Sequence, residues 1–269
     1  MRSESADPWN LIRVMPAQGV QIGCTSVESW RCVFVSGTRA TKRALIVADG
    51  DVPSRAALDV ARPDWTRGVD LVIAADGGWG KAEALGLRPD LLVGDADSLS
   101  EARFSALAAD GVAIDRSPEA KDESDTELAL LAALRRGATR VTILGALGGK
   151  RLDHALANVG VLGLPGLEDA EVELLDDTTR VRLLRAPAAD GGAVRCSLAG
   201  PKGDLVSLLP LGVPALGVTT DGLRYPLHDE TLPLGPARGL SNVRIAADAS
   251  VTLRQGRLLV IETRTDQPE

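Results

Sequence analysis

The stretch Asp90-Leu-Leu-Val-Gly-Asp-Ala-Asp-Ser98 joins a short apolar run to two carboxylates, Asp95 and Asp97. The apolar run predicts a buried β-strand. The two carboxylates after it can face one cleft, because alternate residues of an extended chain share a face. Two carboxylates this close repel each other, so a cation is expected between them. Oxygen ligands suit Mg²⁺, which commonly accompanies a phosphorylated substrate, and the stretch therefore indicates phosphate chemistry at a strand end.

The sequence around this stretch alternates strands with helices. The predicted strands are 44–48, 70–75, 90–93, 112–115 and 141–144, and the predicted helices are 54–61, 79–85, 100–109, 123–136 and 152–162. Strands that alternate with helices in this way predict an α/β domain, 43–165, built on a mostly parallel sheet with crossover helices.

After Pro165 helical periodicity is lost, and short strand candidates separated by Gly, Pro and Asp follow one another. They are 171–175, 179–184, 194–198, 205–209, 243–247, 250–253 and 258–263. This pattern predicts an all-β, sandwich-like C-terminal domain, 166–269. Residues 1–42 lack clear periodicity and are predicted to be a loosely packed or disordered extension, with a docked regulatory or dimer arm as the alternative.

Composition excludes several classes of function. The formal net charge of −7 leaves no basic footprint for nucleic acid, and an aromatic content of 3% argues against base-stacking platforms. Three cysteines without a C-x-x-C motif and two histidines do not favour a zinc cluster or a disulfide framework. No apolar run approaches the length of a membrane span, and the first residues lack a signal-peptide pattern, so we expect no membrane partner and a cytoplasmic location.

Four segments that follow predicted parallel strands carry candidate site residues, and ligands of such sheets bind at this edge. The first is Asp76-Gly77-Gly78, whose glycines allow close backbone approach to a phosphate at the next helix start; a plain strand-to-helix turn is the alternative. The second is Gly94–Ser98, in which Asp95 and Asp97 are either metal ligands or loop and capping residues.

The third segment is Lys121-Asp-Glu-Ser-Asp125. If Asp122 caps the following helix, Asp125 lies one turn on and faces the same side, and Lys121 is available to neutralise phosphate. Acidic residues also favour helix N-termini through the macrodipole, and for this segment alone capping is the favoured interpretation.

The fourth segment is Gly145-Ala-Leu-Gly-Gly-Lys-Arg-Leu-Asp-His154. Gly148 and Gly149 predict a compact turn that opens a helix, and the Arg151 fork suits phosphate oxygens. The Walker A spacing is absent, because Lys150 is followed by arginine. The helix start also carries Asp153 and His154, and His154 can share a face with Asn158, although a structural role is commoner for a histidine there.

Taken in order, these four segments resemble the thiamine pyrophosphokinase family. The similarity spans roughly residues 44 to 263 and includes Gly239-Leu-Ser-Asn-Val243, which is similar to the short Ser-Asn thiamine-site motif of the family. Two residues depart from the family pattern: Ala96 replaces the usual aromatic residue between the paired aspartates, and Lys150 places a second basic side chain beside Arg151.

The resemblance implies transfer of pyrophosphate from ATP to thiamine, which gives thiamine diphosphate and AMP, by a homodimer with a composite thiamine site. It implies a catalytic domain at 43–165 that binds nucleotide and metal, and a thiamine-binding domain at 166–269. The implied Mg²⁺ ligands are Asp95, Asp97 and Asp125, with Arg151 as a further catalytic residue. The implied ATP-side residues are Asp76, Gly77, Gly78, Ser98, Lys121, Gly148, Gly149, Asp153, His154 and Asn158, and the implied thiamine residues are Ser241 and Asn242.

Two alternatives stay open from the sequence. A pyrophosphokinase that acts on a pterin alcohol would share the metal-binding edge but not the acceptor pocket, and Ser241-Asn242 argues against it. A non-catalytic nucleotide-binding sensor of the same fold has less need of three carboxylates around Mg²⁺.

Overall fold

The computed structural model of the chain describes residues 41–94, 106–107, 109–116, 122–187 and 192–265. Its helices are α1 (Arg55–Ala61), α2 (Gly78–Ala84), α3 (Asp125–Arg135) and α4 (Leu152–Val161). Its strands are β1 (Arg43–Val47), β2 (Leu71–Ala75), β3 (Leu91–Gly94), β4 (Ala113–Arg116), β5 (Arg140–Leu144), β6 (Glu171–Leu175), β7 (Thr179–Ala186), β8 (Val194–Leu198), β9 (Leu205–Pro210), β10 (Ala215–Asp221), β11 (Glu230–Leu232), β12 (Asn242–Val243), β13 (Ala249–Leu253) and β14 (Gly256–Thr263).

A ten-stranded sheet runs in the order β12-β9-β14-β7-β6-β5-β1-β2-β3-β4. The six strands from β6 to β4 pair in parallel. Their apolar runs are buried, as in Ala44–Val47, because helices pack on a parallel sheet from both sides. The remaining four strands extend the sheet in antiparallel fashion.

A second, four-stranded sheet has the order β11-β10-β13-β8 and packs against the antiparallel part of the first. Leu258 and Val260 of β14 meet Val251 of β13 in a shared apolar core. The C-terminal half is therefore sandwich-like, and one of its layers is the extended large sheet. These features confirm the predicted fold class, an α/β N-terminal part followed by an antiparallel β-sandwich-like part.

The hydrogen bonds of the large sheet continue across the predicted domain boundary. The boundary at 165/166 falls between α4 and β6, yet β6 pairs in parallel with β5 from Arg140 to Ile143. The division into 43–165 and 166–269 stays a prediction. Of the predicted extension, residues 1–40 lie outside the described residues.

The strand predicted over 243–247 was wrong beyond its first residue, since β12 ends at Val243. The chain curls there because the buried Arg244 guanidinium donates to the carbonyls of Leu198 and Ala246, at 3.0 Å each. Two strands escaped prediction, β10 and β11. In β10 the register shifts between Ala215 and Val218, around a Gly217 with a φ of +66°, so the apolar alternation is interrupted.

None of the helices in the described ranges is long and apolar enough to cross a membrane. Of the predicted helix 100–109, residues 106, 107 and 109 are helical, and the remainder lies outside the described residues.

Candidate active site

Loops from four parallel strands meet at the carboxyl edge of the sheet. Asp49–Asp51 follows β1, Asp76–Gly78 follows β2, Gly94 ends β3, and Gly145–Gly149 follows β5. The backbone N–H of Gly50 donates to the carbonyl of Gly145 at 2.9 Å, and that of Asp76 donates to the carbonyl of Val93 at 2.8 Å. Backbone hydrogen bonds therefore hold neighbouring loops of the candidate site together.

The end of β3 lies between two of the predicted acidic residues. A methyl group placed on Gly94 would lie 3.3 Å from Asp125 Oδ1 and 3.3 Å from Cα and Cβ of Asp76. Gly94 directly precedes Asp95, so the structure brings Asp76 and Asp125 to the point where the paired aspartates begin. Asp95, Asp97, Ser98 and Lys121 lie outside the described residues.

Asp125 is the first residue of α3, and the helix cap differs from the one predicted. Ser124 is the N-cap, and its hydroxyl accepts a hydrogen bond from the backbone N–H of Glu127 at 3.2 Å, so the conditional assignment of the cap to Asp122 was wrong. A hydroxyl cap suits this position because it satisfies a free N–H of the first turn. Asp125 thus combines a favourable place in the helix dipole with proximity to β3.

Asp76 adopts a left-handed backbone conformation, with a φ of +45°. Residues with a Cβ adopt this conformation rarely, and it persists where the surrounding structure enforces it. Here the loop is held by the Asp76 N–H bond to β3 on one side and by the start of α2 on the other. The strained backbone conformation is therefore found at Asp76, a residue that the sequence analysis predicts to lie in the ATP site.

Packing against backbone requires glycine at position 78, whereas Gly77 lies against the movable side chain of Asp49. A Cβ on Gly78 would lie 2.0 Å from the carbonyl oxygen of Val47, and one on Gly77 would lie 2.4 Å from Asp49 Oδ1. The start of α2 consequently sits directly against β1. Their predicted role in admitting phosphate stays a prediction.

Sequence reasoning missed Asp49, Asp51 and Lys81. Lys81 Nζ lies 2.9 Å from Asp49 Oδ1 and donates to the carbonyl of Gly50 at 2.7 Å, which ties α2 to the loop after β1. A Cβ on Gly148 would lie 2.9 Å from Asp51 Cβ. The available signal was the position of Asp49-Gly50-Asp51 directly after a predicted strand, the same rule that identified the other segments.

The loops after β1 and β5 approach each other through glycine. A Cβ on Gly50 would lie 2.2 Å from the carbonyl oxygen of Gly145 and 2.4 Å from that of Gly148. Gly149 has a φ of +122°, which fits the predicted compact turn before α4. Asn158 of α4 donates to the carbonyl of Ala146 at 3.0 Å and so supports this turn from the helix.

Arg151 lies at the N-cap position of α4 and is exposed. Its guanidinium donates to both carboxylate oxygens of Asp153. These hydrogen bonds raise the pKa of Arg151 and lower the pKa of Asp153. Because exposed ion pairs are weak, an arriving phosphate can replace Asp153 at little cost. His154 is exposed in the first turn of the same helix.

The two predicted thiamine residues differ in solvent exposure and in hydrogen bonding. Ser241 is exposed, has a φ of +53°, and its N–H donates to Ser207 Oγ at 3.1 Å. Asn242 is 7% exposed; its Oδ1 accepts the N–H of Tyr225 at 2.9 Å, and its Nδ2 donates to the carbonyl of Tyr225 at 2.6 Å. The amide of Asn242 therefore clamps the Tyr225 segment, and direct contact with a ligand stays a prediction.

The structure does not bring Ser241 and Asn242 to the acidic residues within one chain. β12 and β3 are eight strand positions apart in the large sheet. At about 4.8 Å per strand this is roughly 38 Å along the sheet. The two predicted halves of the site therefore lie towards opposite ends of the same sheet.

The donor chemistry at β3 fits Mg²⁺. Asp125 places a carboxylate oxygen beside the strand end, Cα and Cβ of Asp76 lie equally close to it, and oxygen is the ligand that Mg²⁺ prefers. Among the residues that the structure describes, no three His, Cys, Asp or Glu side chains form a metal-binding group. The predicted ligands Asp95 and Asp97 are outside that set, so the metal assignment stays a prediction.

Comparisons with known proteins agree in both halves of the chain. The catalytic domain of thiamin pyrophosphokinase matches residues 64–173, and its vitamin B1 binding domain matches residues 194–258, together more than half of the chain. The thiamine pyrophosphokinase of Bacillus subtilis is 26% identical over 204 residues, which are 75% of this chain and 92% of that protein. Thiamine pyrophosphokinase 1 of Oryza sativa subsp. japonica is 28% identical over 181 residues.

The match with the rice protein covers 61% of this chain and 64% of the rice protein, just under two thirds of its length. The crystal structure of the Bacillus subtilis thiamine pyrophosphokinase superposes with a TM-score of 0.70 at 25% identity, and the match covers 84% of this chain and all of that one. Sequence and fold thus agree over both parts of the molecule, and the chain belongs to the thiamine pyrophosphokinase family.

Proposed function

We propose that this protein transfers the terminal pyrophosphate of ATP to the hydroxyl group of thiamine, which gives thiamine diphosphate and AMP. The observation that carries the proposal is the match of both the catalytic and the vitamin B1 binding domains, in this order, on one chain. The convergence of Asp76, Asp125 and glycine-rich loops at one sheet edge supports it. The vitamin B1 binding match disfavours a pterin alcohol as acceptor, and the catalytic match disfavours a sensor.

In this reaction the thiamine oxygen forms a bond to the β-phosphorus of ATP, and the bond from that phosphorus to the α,β-bridging oxygen breaks. The bridging oxygen leaves with AMP. One carboxylate of the acidic cluster, which comprises Asp76, Asp95, Asp97 and Asp125, accepts the hydroxyl proton. Crowded negative charge is the main obstacle, so catalysis rests on positioning and electrostatic stabilisation.

The residues of this chain divide that task. Asp95, Asp97 and Asp125 would hold Mg²⁺, with Asp76 as a weaker candidate, and bound Mg²⁺ would neutralise polyphosphate charge. Arg151 and Lys121 would hold the polyphosphate. Lys81 positions the loop after β1 by its bonds to Asp49 and Gly50.

The remaining ATP-side residues act through the loops that carry them. Gly77 and Gly78 let α2 start directly against β1, Gly148 and Gly149 form the turn before α4, and Asn158 supports that turn. Ser98, Asp153 and His154 are proposed to lie along the path of the polyphosphate.

A product assay with ATP, Mg²⁺ and thiamine tests the function. We expect thiamine diphosphate and AMP in equal amounts, and AMP only when thiamine is present. ADP together with thiamine monophosphate would show a different transfer. A complete lack of thiamine-dependent product would overturn the assignment of the acceptor.

The thiamine site is proposed to be composite, built from two copies of the chain. The roughly 38 Å between β12 and β3 argues that Ser241 of one copy serves the acidic cluster of another. Exposed apolar side chains lie near Asn242: Leu240 (46% exposed) and Ile245 (48%) flank it in sequence, and Tyr225 (58%) is hydrogen-bonded to it. Such side chains are suited to burial against a second copy.

Replacing Ser241 with alanine is expected to raise the KM for thiamine about tenfold, because one hydrogen bond to thiamine is lost. The KM for ATP should stay within about twofold of the value for the unmodified protein. Steady-state kinetics with each substrate varied in turn measures the two values. Equal increases in both would count against this pocket.

Mixing the Ser241→Ala chain with an inactive Asp125→Asn chain tests the composite site. In a mixed dimer, one site receives Asp125 from one copy and Ser241 from the other, so we expect activity with the unmodified KM for thiamine. If each copy holds a complete site, only the weak Ser241→Ala activity will be measured.

A further inference from the structure

A groove of about 820 Å³ lies over β5, β6 and β7, between the end of α1 and β8. Among the described residues, none that lines this groove belongs to the candidate active site. The seven-residue α1, about 10 Å long, separates the two, since its N-terminus follows the loop after β1 and its C-terminus borders the groove. Among the described residues that line it, eight are arginines, including Arg62, Arg180 and Arg264, and three are carboxylates, Asp64, Glu171 and Glu173.

Three of these guanidinium groups come together from distant parts of the sequence. Arg62 Nε donates to the carbonyl of Asp176 at 3.2 Å, and Arg264 Nη1 donates to the carbonyl of Ala61. Burial lowers the pKa of Arg62, the positive charges of Arg180 and Arg264 lower it further, and the carboxylates of Glu262 and Asp176 offset part of the shift. Arg62 Nη2 is buried and has no hydrogen-bond partner among the described residues.

The nearby carboxylates are already engaged. Glu173 lies 3.1 Å from Arg180 Nε and accepts the hydroxyl of Thr142 at 2.8 Å. Glu262, whose side chain is 5% exposed, pairs with Arg182 at 2.6 Å. Asp176 attracts Arg62, but its Oδ1 accepts the N–H groups of Thr178 and Thr179. Within the part of the chain that the structure describes, neither Arg62 nor Arg264 has an ion-pair partner within 4 Å.

A cluster of this kind is unfavourable by itself, since buried donors without partners and adjacent like charges both cost free energy. An anion with several oxygens offsets the repulsion between the guanidinium groups and offers acceptors to those of their N–H groups that face the groove. Guanidinium forks match phosphate oxygens in a bidentate manner, and the groove has the volume of a small-molecule site. Apolar side chains such as Val141, Leu183 and Val194 line the remaining wall.

We propose that this groove binds a phosphorylated small molecule, whose phosphate oxygens contact Arg62, Arg180 and Arg264. The site is distinct from the one that carries the proposed reaction, and the inference does not depend on that reaction. Free diphosphate and a nucleotide share the required chemistry, so the test includes both.

The test is calorimetric titration of the full chain with inorganic pyrophosphate in Mg²⁺-free buffer. An Arg151→Gln background removes an arginine of the proposed catalytic phosphate site. In this background we expect one pyrophosphate site, weakened at least tenfold by the double change Arg62→Gln and Arg264→Gln. Arg88→Gln is the matched control, because Arg88 is exposed and outside the groove, and it should change the affinity less than twofold.

Folding of each variant is checked by its melting temperature. Pyrophosphate at 100 times its Kd should raise the melting temperature of the Arg151→Gln chain by roughly 5 °C and that of the groove variant by much less. If the double variant does not fold, Arg62→Lys keeps the charge but loses the fork, and a several-fold weaker affinity is expected.

Two results would overturn the proposal: no pyrophosphate binding in the Arg151→Gln background, or equal weakening by Arg88→Gln, which indicates general charge attraction. Titrations with ATP and AMP identify the occupant. Tighter binding of ATP than of pyrophosphate assigns a nucleotide to the groove, and equal affinity assigns a free diphosphate.

Discussion

Replacing Asp125 with asparagine should lower thiamine-dependent AMP formation by roughly 10³-fold while the chain stays folded. The Asp125 carboxylate lies beside the end of β3, where the paired aspartates begin. Asparagine keeps the shape but removes the charge that a metal–polyphosphate complex requires. The rate of AMP release at saturating ATP and thiamine measures the effect. Asp97→Ala, outside the described residues, is likewise expected to abolish turnover.

Glu127→Gln is the matched control, because Glu127 lies in the same first turn of α3 and also interacts with the helix dipole. Asp125→Asn should cost about 0.3–1 kcal/mol of stability and lose activity. Glu127→Gln should keep activity and leave stability nearly unchanged, because burial and the charge of Glu123 raise the pKa of Glu127 and so offset the benefit of the helix dipole. Activity of Asp125→Asn above a tenth of the unmodified rate would refute the metal assignment. Equal losses in both variants would show that the first turn matters for structure alone.

Gly78→Ala should destabilise the protein by roughly 3 kcal/mol, because the new Cβ would lie 2.0 Å from the carbonyl oxygen of Val47 and α2 must move away from β1. The displacement would carry Lys81 away from the loop after β1, so we also expect about a 100-fold lower activity. Urea unfolding gives the change in stability, and the product assay gives the change in rate.

Gly80→Ala provides the comparison within the same helix. Gly80 is exposed, and a Cβ there would meet nothing within 4 Å. Alanine favours a helix over glycine by about 0.5–1 kcal/mol, so this variant should be slightly more stable and fully active. Equal destabilisation by both substitutions would contradict the packing argument for Gly78.

The pattern of apolar residues predicted correctly those strands in which a continuous apolar run is buried. The run Leu91–Val93 is a buried strand, as predicted, and the alternation of strands and helices yields parallel pairing from β6 to β4. The order of the acidic and glycine-rich segments also allowed their common edge to be predicted, because parallel strands present their carboxyl ends together. The strand at 215–221 escaped prediction, because a left-handed Gly217 breaks its alternation.

The sequence by itself therefore determined the fold class, the family resemblance and the place of Asp76 and Gly145–Gly149 at the carboxyl edge, since these depend on periodicity and on residue type. Only the tertiary structure decided that Asn242 is a buried clamp and that Gly78 is needed for packing. The same holds for the distance between β12 and β3 and for the cluster of Arg62, Arg180 and Arg264. These depend on contacts between residues far apart in the chain, and such contacts exist only once the sheet has assembled.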